Sequence, residues 1–83
     1  MIAIFLYIHF GLINQSISVY EIDEPARQLI LIKTVSSTFD NLEQTILNLS
    51  EEFETKYINI LNDKEFEQEL INKHGLAKWE ELF

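Results

Sequence analysis

The sequence predicts a small α+β domain with the element order β-β-β-α-α, on three observations. Apolar residues follow a strand-like pattern up to about residue 35 and then recur at helical spacing. Turn-forming residues separate the apolar runs of the first half. The chain has 83 residues, which leaves room for one domain and one core over 1–83.

The first run, Ile2 to Phe10, is apolar except for His9. Alternation puts Ile2, Ile4, Leu6, Ile8 and Phe10 on one face and Ala3, Phe5, Tyr7 and His9 on the other. Neither face is strongly polar, so the run reads as a central strand over about 2–10, covered on both sides. Ile17 to Asp23 is a second strand, β-branched and aromatic. Pro25 presets a turn after it. A third strand runs over about 28–35, with Leu29, Leu31 and Val35 on one face and Ile30, Ile32 and Thr34 on the other. Short connections favour an antiparallel meander, because parallel pairing requires a long crossover.

From Phe39 the period changes. Phe39, Leu42, Ile46, Leu49, Phe53, Tyr57 and Ile60 recur every three or four residues, which predicts one amphipathic helix over about 38–61. Ser37 or Thr38 caps its start, with Asp40 completing a capping box from Ser37. Asn62 or Asp63 caps a second helix over about 63–74, which Gly75 ends. Residues 77–83 read as a short helical tail with Trp79, Leu82 and Phe83 on one side.

The net charge is −8, and it is unevenly placed. Three acids and two bases precede Ser37; eleven acids and four bases follow. Such a balance argues against nucleic acid as a partner, since phosphates require a surplus of Lys and Arg. The apolar start is too short to span a bilayer, which argues against membrane insertion. It also lacks the basic residues that open a signal peptide, so it reads as a strand of a cytoplasmic protein rather than a leader at residues 1–18. There is no cysteine, hence no disulfide, thiolate nucleophile or zinc thiolate.

The residues that carry chemistry do not assemble into a catalytic pattern. His9 alternates with Phe5 and Tyr7 on a strand face, and no second ligand stands at metal spacing. His74 lies in the last turn of a helix, where the dipole favours a cation. Ile71 stands three residues before His74, so the Glu-x-x-His of carboxylate metal sites is missing. Glu51, Glu52 and Glu54 on one helix, and Glu65, Glu67 and Glu69 on the next, read as solvated acidic faces. No catalytic, cofactor-binding or metal site is expected, and the chain does not read as an enzyme.

Packing points instead to a partner. Two helices cover one face of a three-stranded sheet well, and not both. Large side chains left on the second face would exceed the apolar patch of an ordinary monomer. Burying each is worth roughly 1.5–3 kcal/mol. Phe5, Tyr7 and His9, with Trp79, Leu82 and Phe83 of the tail, are therefore the candidate partner-binding residues. A second copy of the chain or another protein is the expected occupant.

Residues 17–61 resemble a longin-like domain. The run is strand, turn, strand and then a long helix, STFDNLEQTILNLSEEFETKYINIL, with Leu42, Ile46, Phe53 and Tyr57 at the spaced apolar positions. The resemblance implies a non-catalytic module of the small-GTPase or trafficking and adaptor type, associating through a hydrophobic sheet face. The alternative is a small acidic inhibitor, such as an immunity protein, antitoxin or nucleic-acid mimic. It would bind a basic target through Glu51, Glu52 and Glu54.

Overall fold

The structure is a computed structural model that describes residues 3–23, 26 and 28–79. Its elements are β1 (Ala3–Phe10), β2 (Gln15–Asp23), β3 (Gln28–Ser37), α1 (Phe39–Glu52), β4 (Tyr57–Leu61), α2 (Lys64–His74) and β5 (Ala77–Lys78). They build one mixed five-stranded sheet in the order β3-β2-β1-β4-β5. β2 runs antiparallel to both neighbours, whereas β4 lies parallel to β1 and to β5.

This corrects the expected three-stranded antiparallel sheet followed by two helices. The three N-terminal strands are present, at nearly the expected positions. The error lies after Glu52, where the expected helix over 38–61 breaks in two. Phe53, Tyr57 and Ile60 keep helical spacing, yet Tyr57 to Leu61 is equally a β-branched, aromatic strand with Ile58 and Ile60 alternating. Tertiary pairing decides: Ile58 and Ile60 line up with Leu6 and Ile8 of β1, and both are fully buried. The break itself has a local cause. No basic residue occupies the last turn of α1, and Glu51 and Glu52 crowd a helix end that repels negative charge. Glu54 then takes a left-handed φ of 50°.

Three smaller expectations are also corrected. The tail at 77–83 is not helical where it is described: Ala77 and Lys78 extend as β5, with the Ala77 and Trp79 amides donating to the Lys56 and Ile58 carbonyls. Thr38, one of the two expected caps, occupies the N-cap of α1, but its side chain makes no capping bond, and the expected capping box from Ser37 is not formed, since the Ser37 hydroxyl donates to the Thr38 carbonyl. On β3, Ile32 is an extra residue opposite the Val19–Tyr20 step. That bulge flips the alternation, so Leu29 and Leu31 share a face with Thr34, and Lys33 shares one with Val35. The α2 ends behave as expected: Asp63 accepts from the Phe66 amide at 3.0 Å, and Gly75 closes the helix at φ 70°.

Both helices pack on the same side of the sheet. Leu42, Ile46 and Leu49 of α1 and Leu70 of α2 enclose Leu6, Ile8, Ile17, Val19, Ile58 and Ile60 in one core. Phe10, Val35, Phe53, Phe66 and Ile71 close its margins. Pairing register then fixes which residues look away from the helices.

Candidate functional site

The strand residues on the face of the sheet opposite the helices are uncharged. Register places Ala3, Phe5, Tyr7 and His9 of β1 there, beside Ile22, Tyr20, Ser18 and Ser16 of β2. β3 adds Leu29, Leu31, Thr34 and Ser36. β4 adds Tyr57, Asn59 and Leu61, and the β5 edge adds Ala77 and Trp79. None of these strand residues is Asp, Glu, Lys or Arg, in a chain whose net charge is −8; at the β4 margin the Lys56 amine lies 5.9 Å from the Tyr57 ring and the Lys64 amine donates to Asn59 at 3.4 Å.

Aromatic rings cover one half of it. Trp79 stacks on Phe5 with centroids 4.9 Å apart and planes 4° from parallel. Tyr20 stacks on the same Phe5 ring at 5.6 Å. Tyr7 meets Tyr20 edge-on at 6.4 Å, and Tyr57 meets Trp79 edge-on at 5.4 Å. Offset and edge-on pairs of this kind are the favourable arrangements of ring quadrupoles. Phe5 is buried, although no helix lies over it, because its neighbours' rings roof it. Tyr7, Tyr20 and Trp79 are half-buried and Tyr57 is exposed, so they present the outer surface. The other half is hydroxylic, with the Ser18 and Thr34 hydroxyls 3.3 Å apart.

The structure therefore brings three of the expected partner-binding residues, Phe5, Tyr7 and Trp79, onto one surface. His9 shares the face and is exposed, opposite Ser16 and Leu61. Leu82 and Phe83 lie outside the described residues. Tyr20 belongs to the cluster, and strand alternation with Ser18 and Ile22 was the signal for it. Leu29 and Leu31 join through the bulge, which nothing in the sequence marks.

The acidic candidates are separate from this face. Glu51, Glu52 and Glu54 are exposed around the C-terminal end of α1, and Glu52 pairs with Lys33 at 3.3 Å. Glu67 departs from its expected place on a solvated face, because it is buried. Its carboxylate accepts the Ile60 amide at 2.7 Å, and the Lys64 amine donates to it at 3.4 Å. The Trp79 amide bonds the Ile58 carbonyl on the β5 side of β4. In a parallel strand the Ile60 amide points to that same side, past the end of two-residue β5. Glu67 stands in for the missing strand. Glu67, Leu70, Ile71 and His74 are spaced as one helical stripe, which was the available signal.

Nothing in the described residues converges on a catalytic centre. His74 Nε2 lies 2.5 Å from Glu43, and the Lys73 amine 3.1 Å from the same carboxylate. This clamps α2 to α1. These contacts, His74 first and Lys73 second, hold the Glu43 carboxyl below its ordinary range. A shallow, mainly apolar groove of about 510 Å³ lies beside the α1–β4 turn, lined by Ala3, Ile4, Ser50 and Phe53 to Tyr57. Among the described residues no group of three or more His, Cys, Asp or Glu is placed to hold a metal ion. No described helix is long and apolar enough to cross a membrane.

Comparison with known proteins yields the fold and little more. No family model matches the chain, and no curated protein matches it. Its fold is similar to part of a solved structure, the Aquifex aeolicus member of the Ppx/GppA protein family, with a TM-score of 0.54 and 16% sequence identity. The match covers 94% of this chain and 34% of that one, so the chain spans about a third of the length of its structural neighbour.

Proposed function

We propose that the chain is a non-catalytic interaction module that binds an apolar protein surface through the uncharged face of its sheet. The observation that carries this reading is the absence of Asp, Glu, Lys and Arg from the strand residues of that face, in a chain of net charge −8. Interface cores are depleted of charge and enriched in Tyr, Trp and Phe relative to other surfaces. Here Tyr7, Tyr20, Tyr57 and Trp79 form such a surface on a rigid sheet. The partner is accordingly a protein surface rich in aliphatic side chains at its centre. The acids on the helical side keep the complex soluble and repel nucleic acid.

The exposed acids at the end of α1 favour a second reading, an inhibitor that holds a basic target through Glu51, Glu52 and Glu54. One experiment separates the two. The tagged chain is recovered with its co-purifying partner, and partner binding is titrated for the wild type, His9→Asp with Ser18→Asp, and the triple Glu→Gln variant at 51, 52 and 54. The sheet-face reading expects the Asp pair to abolish binding, while the Gln variant and added salt change little. Retained binding in the Asp pair, with loss in the Gln variant and in salt, overturns it in favour of the acidic inhibitor. Circular dichroism checks that each variant is folded.

A further inference from the structure

The edge of the sheet carries a separate signal. β3 is a terminal strand of ten residues, paired with β2 on one side only. Leu29, Ile30, Leu31 and Ile32 are 50%, 45%, 55% and 39% exposed. Leu29 and Leu31 face one way and Ile30 the other, so nothing lying on a single face covers all of them. Only an element running alongside reaches both sides, and an added strand is that element, since it also takes up the free amides and carbonyls of the edge. Natural edges are protected by charges, prolines, bulges or shortness. β3 has one charge, Lys33, and one bulge, at Ile32, both after the Gln28–Leu31 segment.

We propose that β3 takes the β3 of a second copy of this chain as an antiparallel neighbour. The inference concerns the edge of the sheet and does not rest on the reading of its face. Three features select a copy of the chain. From Gln28 to Phe39 the strand itself carries no acid and one base, Lys33, which Glu52 neutralises at 3.3 Å, so two chains of charge −8 pair here without setting acid against acid within the strands. The incoming strand is already extended, so no ordering cost is added, as it would be for a disordered peptide. The segment is also self-complementary. A two-fold axis through Ile30, perpendicular to the sheet, sets Ile30 against Ile30 and Leu29 against Leu31, and it keeps each face matched to its equivalent. The two sheets become one of ten strands. The opposite edge, β5, is two residues long and offers no such template.

The test is sedimentation velocity on the full chain through the micromolar range, with two variants. Wild type is expected to sediment as a dimer of the 9.8 kDa chain at the upper end. Ile30→Lys, an exposed change on the helix side of the edge strand, is expected to weaken the dimer at least about tenfold by setting like charges directly opposite one another across the pair. Ile30→Cys, in a chain with no other cysteine, is expected to form a disulfide dimer, because residues opposed across an antiparallel pair fall within reach of one. Glu65→Cys on α2 is expected to form no disulfide dimer under the same mild oxidation. A wild type that stays monomeric, a dimer indifferent to Ile30→Lys, or equal cross-linking at positions 30 and 65 overturns the proposal. Each of these leaves the binding of an unlike partner by the sheet face untouched, so the two ideas fail separately.

Discussion

Glu67 offers the sharpest test of how the sheet is held at its short edge. The perturbation is Glu67→Ala. Glu67 is 3% exposed, and its carboxylate accepts the amide of Ile60, a residue that is itself fully buried. Its removal leaves a buried donor unsatisfied, a loss of about 1–3 kcal/mol that rises when the lost acceptor was charged. The Lys64 contact adds little, since that amine is mostly exposed. An expected cost of about 2–3 kcal/mol corresponds to a melting temperature lower by roughly 8–24 °C for a domain of this size. Glu67→Gln keeps an oxygen acceptor and is expected to cost about 1 kcal/mol or less. Urea unfolding monitored by circular dichroism measures both, and hydrogen exchange at the Ile60 amide reports the bond directly. An alanine variant within about 0.5 kcal/mol of wild type, or a glutamine variant as weak as alanine, refutes the strand-substitute role.

Other consequences are as direct. Phe5→Ala removes the ring that Tyr20 and Trp79 stack on and is expected to cost about 3–5 kcal/mol, read by urea unfolding, with a red shift in the emission of Trp79, the single tryptophan. Gly11→Ala places a Cβ 2.5 Å from the Asn14 carbonyl oxygen, a backbone atom, and is expected to destabilise the β1–β2 turn by about 1–3 kcal/mol in the same assay. Glu43 has its folded pKa below the ordinary 4.5 because of its bonds to His74 and then Lys73. Its contribution is therefore present above pH 4.5 and lost as the pH falls below that value through the folded pKa. Glu43→Gln is expected to flatten that part of the stability-against-pH curve, and an unchanged acid limb contradicts the clamp between α1 and α2.

Much of the β half was legible because strands announce themselves by alternation and by bounding turns. Phe5 and Tyr7 share a face of β1 by parity alone, whereas Tyr20 joins them only through the β1–β2 register. The stretch after Glu52 was not legible from periodicity, because Tyr57, Ile58 and Ile60 satisfy helical and extended patterns together. What decides there is non-local: β1 offers Leu6 and Ile8 as partners, and a helix continued to Leu61 would leave that edge of β1 bare. The β3 bulge at Ile32 was hidden for a related reason, since Leu-Ile-Leu-Ile is uniformly apolar and parity carries no information in it. Glu67 was misplaced because its type was weighed above its position in the α2 stripe.

The central claim is that the uncharged sheet face is a protein-binding surface. It is tested most directly by a photo-activated cross-linking residue placed at Tyr7, the half-buried ring beside Tyr20, with a matched control at exposed Glu65 of α2. Irradiated in the cells that make the protein, the chain labelled at position 7 is expected to yield one discrete product with an unlike protein. The chain labelled at position 65 is expected to yield none. Cross-linking from Glu65 and none from Tyr7 contradicts the account, because it places the partner on the acidic helices and leaves the sheet face bare.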